Sequence, residues 1–186
     1  MRSEPPAFLP GDAAAAVDPA PIIRVDHAGE YGAVRIYEGQ LAVFDALNRT
    51  STAAEAIRAM ARAEQRHLKT FDRLVNERKV RPTALEPVWR IAGFALGAAT
   101  ALMGEKAAMA CTAAVEEVID EHYASQLPRL SGDTELRTAV EDFRGEEIAH
   151  RDEALAHGAE QAVGYLVLSD VLKAGCRLAI KLSERI

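Results

Sequence analysis

Glu64-Gln-Arg-His67 and Glu147-Ile-Ala-His150 are two copies of one short pattern, 83 residues apart. Each follows a lone glutamate at a similar distance: Glu30 precedes Glu64 by 34 residues, and Glu116 precedes Glu147 by 31. A helix turns about 100° per residue, so a Glu and a His three apart share one face, one turn apart. Four helices packed as a bundle can bring four carboxylates and two imidazoles to one point, where they would hold two metal ions. The expected ligands are Glu30, Glu64, His67, Glu116, Glu147 and His150. Oxygen and imidazole donors without thiolate suit iron or manganese better than a soft metal. Four carboxylates balance two divalent ions. Without the ions the carboxylates would repel one another and some would stay protonated, so metal binding should stabilise the fold and release protons.

The neighbouring residues support an inward-facing site. Ile57, Met60, Leu68 and Phe71 lie four or seven positions from Glu64; Val140, Phe143 and Ala154 stand in the same relation to Glu147, with Arg151 interrupting. Ionisable groups on an apolar stripe need a partner or a metal. Glu-x-x-His alone is a weak pattern that solvated helix faces also produce. Its duplication, with matched upstream glutamates on separate helices, makes it specific.

After Pro21 nearly all of the chain reads as helix, and no period-2 alternation argues for a sheet. The expected helices run from about Ile22 to Leu47, 52 to 79 behind a Thr52-Ala-Ala-Glu55 capping box, 88 to 103, 106 to 127 ahead of Pro128, 134 to His157 ahead of Gly158, and 161 to 184. Pro82 and Pro87 bracket a linker, and Gly104 allows a bend. Helices one and two form one hairpin, four and five another, and the apolar third is the crossover between them. This all-α order is that of a ferritin-like four-helix bundle with a long crossover helix and an additional C-terminal helix. Residues 1–20 read as a flexible Pro- and Ala-rich tail, and 21–186 as one domain.

The stretch Ile22-Ile-Arg-Val-Asp-His-Ala-Gly-Glu30-Tyr-Gly-Ala resembles the first helix of demethoxyubiquinone hydroxylases, the di-iron enzymes of ubiquinone biosynthesis. So do Glu64-Gln-Arg-His-Leu-Lys69, Gly93-Phe-Ala-Leu-Gly-Ala98, Ala108-Met-Ala-Cys-Thr112, Val115-Glu-Glu117 and the ending Leu-Ser-Glu-Arg-Ile186. The resemblance runs from about residue 21 to the C-terminus, and that family's metal ligands fall on the six residues chosen by spacing. It implies a monooxygenase that hydroxylates the ring of a polyprenyl methoxy-methyl-benzoquinone or its quinol, with two iron ions, dioxygen as co-substrate and NADH as the ultimate reductant. It also implies roles for His122 and Tyr123 in substrate binding or electron transfer. Helix geometry agrees for Tyr123, seven residues after Glu116; His122 points about 120° away. No G-x-G-x-x-G turn follows a strand, so no Rossmann nucleotide site is expected.

A polyprenyl substrate lives in a bilayer. Ile91 to Gly104 is a run of 14 residues without charge, behind Trp89-Arg90. A spanning helix needs about 20 apolar residues, so this run suits the membrane interface instead. Lys173, Arg177, Lys181 and Arg185 recur every four residues as a basic stripe suited to anionic headgroups, with Leu168, Leu172 and Ala179 opposite. Gly93-x-x-x-Gly97 permits close helix approach, at a dimer contact of a homo-oligomer or along a tail groove. The expected location is peripheral: the cytoplasmic face of the cell membrane, or the matrix face of the mitochondrial inner membrane, with a ubiquinone-biosynthesis accessory protein as a candidate partner.

Other classes are constrained by composition. A net charge of -6 argues against a nucleic-acid partner. Cys111 and Cys176 are the only cysteines and read as small core residues of a reducing compartment. The N-terminus lacks a secretory signal, and its Glu4, Asp12 and Asp18 disfavour a transit peptide. A ferroxidase or iron-binding ferritin-like protein shares the ligand set but fits the apolar third helix poorly. A non-enzymatic, membrane-associated quinone-binding subunit with a structural metal is the third reading.

Overall fold

The computed structural model describes residues 18–186, which form six α-helices and no strand. These are α1 (Ala20–Ala46), α2 (Thr52–Glu77), α3 (Glu86–Leu102), α4 (Glu105–Gln126), α5 (Thr134–Ala156) and α6 (Tyr165–Ser183), with single 3-10 turns at Leu127–Arg129 and Ala159–Gln161. The segment expected as a tail lies outside the described residues as far as residue 17; α1 already begins at Ala20, with Pro21 in its first turn.

Local chemistry sets most boundaries. The N-cap of α2 is Ser51, whose hydroxyl accepts from the Ala54 amide at 3.2 Å, so the cap sits one residue before the expected Thr52 box. Asp133 caps α5 by accepting from the Leu136 amide at 3.1 Å. Pro87 was expected in the linker but lies in the first turn of α3, where a missing N–H costs no hydrogen bond. α6 starts later than expected, because Gly158 and Gly164, both at positive φ, bracket a short turn before Tyr165.

The hairpins α1–α2 and α4–α5 form the bundle, and α3 crosses between them packed chiefly along α1. That contact is backbone to backbone. A Cβ built on Gly97 would lie 1.9 Å from the Ile36 carbonyl oxygen, and one on Gly39 would lie 2.1 Å from that of Phe94. Gly93-x-x-x-Gly97 is therefore used within the chain, against α1.

α6 docks on α4. Lys173 pairs with Glu117 at 2.7 Å and Arg177 with Glu121 at 2.9 Å. Two of the four cations of the expected basic stripe thus lie against acidic groups of α4. The open side of α6 is apolar instead, with Leu166, Val167, Val171 and Leu178 exposed, as Ile91, Phe94 and Leu102 are on α3. No described helix is long and apolar enough to cross a membrane.

The core has two apolar layers. One holds Ile22, Ile23, Phe71, Leu74, Leu136 and Val140; the other holds Phe44, Ile57, Met60, Ala108, Met109 and Ala154. Glu30, Glu64, Glu116 and Glu147 lie between residues of the two layers on their respective helices.

Candidate metal centre

One glutamate from each of four helices enters the middle of the bundle, and all four are fully buried. The i, i+3 spacing adds His67 from α2 and His150 from α5. Two sets of potential ligand atoms result. Glu30, Glu64, His67 and Glu147 each offer an atom within 4.8 Å of the others; so do Glu64, Glu116, Glu147 and His150. Metal–ligand bonds of about 2.1 Å place opposite donors about 4.2 Å apart, so each set fits around one ion. Glu64 and Glu147 belong to both sets. Two ions, one at each set, would share Glu64 and Glu147, with Glu30 and His67 completing one position and Glu116 and His150 the other. All six residues expected from spacing are brought together.

Thirteen buried side-chain nitrogen and oxygen atoms have no hydrogen-bond partner among the described residues. Eight belong to these six residues, including both oxygens of Glu64 and of Glu147 and Nδ1 of both histidines. His67 Nδ1 lies 3.1 Å from Glu147 Oε1, and His150 Nδ1 lies 3.1 Å from Glu64 Oε1, yet neither pair has hydrogen-bond geometry. The atoms face a shared centre rather than one another. Buried polar atoms left unpaired are costly, and a cation is the partner this donor set lacks.

The electrostatics of the ion-free site agree. Burial raises Glu64 and Glu116 well above the ordinary carboxylate value, and neighbouring carboxylates raise them further. Burial also raises Glu147. Burial alone would lower His67, but Glu147 and Glu30 outweigh it and lift the imidazole to about 10. Burial lowers His150.

An outer layer holds these side chains in place. The Tyr123 hydroxyl donates to Glu30, and the Tyr37 hydroxyl donates to Glu116. Each tyrosine lies on the opposite hairpin from its glutamate. Glu146 lies 3.2 Å from His67 Nε2 and is itself held by Arg66 at 2.9 Å. The His67 ring stacks on Phe143 at 4.0 Å. Such partners set ring orientation and ligand basicity. Sequence reading missed Tyr37, although a signal existed: it follows Glu30 by seven residues, as Tyr123 follows Glu116.

Beside the centre, α1, α3, α4 and α6 line an open apolar cavity of about 380 Å³. Its walls include Ile36, Leu96, Val115, Ile119 and Leu172, and its polar residues are Asp26, Glu30, His122, Tyr123 and Ser183. Glu30 and Tyr123 reach it; Glu116 and Tyr37 do not. At its edge Trp89 Nε1 donates to Ser183 Oγ at 3.0 Å, bridging α3 and α6. His122 lines the cavity, with Nε2 3.3 Å from Asp26 Oδ1. Burial pushes the Asp26 carboxyl up, and His122 partly offsets this. Cys176 also lines the cavity, and burial pushes its thiol up to about 11.

Two related helical hairpins converging on carboxylates and imidazoles define a ferritin-like protein. The chain belongs to the family of the ubiquinone biosynthesis protein COQ7, which it matches over residues 18–183. It is 55% identical over 180 residues to the 3-demethoxyubiquinol 3-hydroxylase of Rhodospirillum rubrum, covering 96% of this chain and 83% of that protein. It is 52% identical over 170 residues to the mitochondrial NADPH-dependent 3-demethoxyubiquinone 3-hydroxylase of Homo sapiens, covering 89% of this chain and 76% of that protein. The mitochondrial 5-demethoxyubiquinone hydroxylase of Saccharomyces cerevisiae is 40% identical over 181 residues, covering 89% and 77%.

Proposed function

We infer that this protein is a hydroxylase of ubiquinone biosynthesis, which adds oxygen to the ring of a demethoxyubiquinone or its quinol. The named relatives carry that reading. Glu30, Glu64, His67, Glu116, Glu147 and His150 would hold the two iron ions that this chemistry needs. Eight buried donor atoms without another partner support this ligand set. Iron, when bound, supplies the redox chemistry that activates dioxygen.

The chain's residues supply the rest. Tyr37 and Tyr123 hold Glu116 and Glu30 by hydrogen bonds, and Glu146 orients His67. The apolar cavity takes the ring, excludes water from it and sets it against Glu30 and Tyr123. Both His122 and Tyr123 line that cavity, which supports a role for them beside the ring. The reductant is a nicotinamide: NADH is the source the sequence resemblance implies, whereas the human relative is named NADPH-dependent. No nucleotide fold is present among the described residues, so electrons reach the centre through the bound quinone or through a nicotinamide contact of another kind.

The isoprenoid tail leaves between α3 and α6, whose exposed apolar faces rest on the bilayer as a peripheral attachment. Replacing Ile91, Leu102 and Val167 together with serine should release the protein from neutral vesicles. Undiminished co-sedimentation would refute attachment through these faces. The activity is tested by anaerobic iron reconstitution, then oxygen exposure with a short-tailed methoxy-quinol. Mass spectrometry should show a gain of one oxygen atom. Iron oxidation with no change in the quinol would favour the ferroxidase reading instead.

A further inference from the structure

We propose that Asp26 accepts a hydrogen bond from a ring hydroxyl of the substrate and so makes the cavity select the quinol over the quinone. The proposal rests on the cavity being the ring site. The relatives' names divide on this point, one specifying the quinol and others the quinone.

Asp26 is 2% exposed, yet it lines the cavity. Its Oδ1 is occupied: Gln126 Nε2 donates to it at 2.6 Å, and His122 Nε2 lies 3.3 Å away. Its Oδ2 has no donor among the described residues. Among the other polar groups of the wall, Glu30 Oε2 is also unpaired but belongs to the candidate metal centre, and two hydroxyls are already engaged. Tyr123 donates to Glu30, and Ser183 takes the Trp89 indole N–H at the edge. Asp26 Oδ2 is thus an unmet acceptor on a residue that lines the apolar space, and Gln126 holds the carboxylate through Oδ1.

A quinol carries ring hydroxyls that donate; a quinone carries carbonyl oxygens that only accept. Hydrogen bonds to a charged acceptor are the strong ones, and a buried acceptor left unmet carries the full cost of its desolvation. A site built to bond a substrate hydroxyl therefore rejects the analogue that lacks it. The same bond directs electron density into the ring, which favours attack by an oxidant at an open ring carbon. A protonated Asp26 would instead donate to a quinone carbonyl, and the preference would be reversed.

The test uses the full chain loaded with zinc, which has no redox chemistry. Trp89, the single tryptophan, lines the cavity and reports occupancy by its fluorescence. The protein is titrated under argon with a short-tailed demethoxyubiquinol, its quinone and its two mono-O-methyl ethers. The quinol should bind about ten-fold more tightly than the quinone or more, and one of the two ethers should lose that advantage. Asp26→Asn, which puts an amide donor within reach of the ring, should abolish or reverse the preference. Equal affinities for quinol and quinone in the unaltered protein, tighter binding of the quinone, or a preference that survives Asp26→Asn would each overturn the proposal while leaving the cavity as the ring site. No Trp89 response to any of the four compounds would overturn the ring site as well. Where Asp26→Asn does not fold, equal affinities or tighter quinone binding in the unaltered protein still overturn the proposal.

Discussion

A buried carboxylate keeps its position only when something holds both the charge and the rotamer. For Glu116 the second of these is Tyr37. Tyr37→Phe removes only the hydroxyl, so helix packing should survive while metal affinity falls about 10- to 100-fold, as measured by competition with a chelator. Retained affinity would make Tyr37 a packing residue only. The two shared carboxylates behave differently from the two unshared ones. Glu147→Gln touches both ion positions and should abolish hydroxylation and reduce both equivalents of bound metal. Glu30→Gln should weaken one equivalent alone, as counted by equilibrium dialysis and metal analysis. Equal losses in the two variants would contradict the bridged arrangement. The six side chains of the centre were legible because the i, i+3 period and the repeat are written in the sequence. The sharing of Glu64 and Glu147 was not, since it depends on how the hairpins face each other.

Along the seam between α1 and α3 the backbones come close at Gly39, Gly93 and Gly97. Gly97→Ala would press a methyl into the Ile36 carbonyl, so α3 must move away from α1. This should destabilise the protein by about 1–3 kcal/mol or more and disturb the cavity wall. Gly145→Ala, in the middle of α5 with nothing within 4 Å, should stabilise it by about 0.5–1 kcal/mol. Thermal unfolding of the pair measures both; a harmless Gly97→Ala would show that the seam is loose. The G-x-x-x-G spacing signalled close approach but not its partner, which only the fold supplies. The basic residues of α6 were visible as a stripe. Their destination was not, because Glu117 and Glu121 lie 56 positions from Lys173 and Arg177 and make contact only through tertiary packing.

In the whole molecule the charged centre sets how stability follows pH. Without metal, Glu64, Glu116 and Glu147 keep their protons to higher pH folded than unfolded. The folded state then binds more protons above about pH 4.5, so stability falls as pH rises. His67 acts with the same sign: its contribution is complete below about pH 6.5 and is lost as pH rises through about 10. His150, lowered by burial, opposes this only at and below its ordinary value. The melting temperature of the metal-free protein should therefore drop between about pH 5 and about pH 9. Metal should raise it most at the alkaline end, where the ligands are already deprotonated. Calorimetry across that range, with and without ferrous iron under argon, checks this; a metal-free melting point that climbs with pH would refute it. The six-helix order was readable from caps, prolines and hydrophobic period, whereas the cavity was not, because it is the space left where α3 and α6 stand apart. That space breaks the symmetry of the repeat. It reaches Glu30 and Tyr123 and stops short of their counterparts Glu116 and Tyr37. Two chemically matched seats therefore have unequal neighbours, a front seat that meets whatever enters the gap and a back seat walled in by core. The repeat supplies the pair, and one-sided access sets its two halves apart.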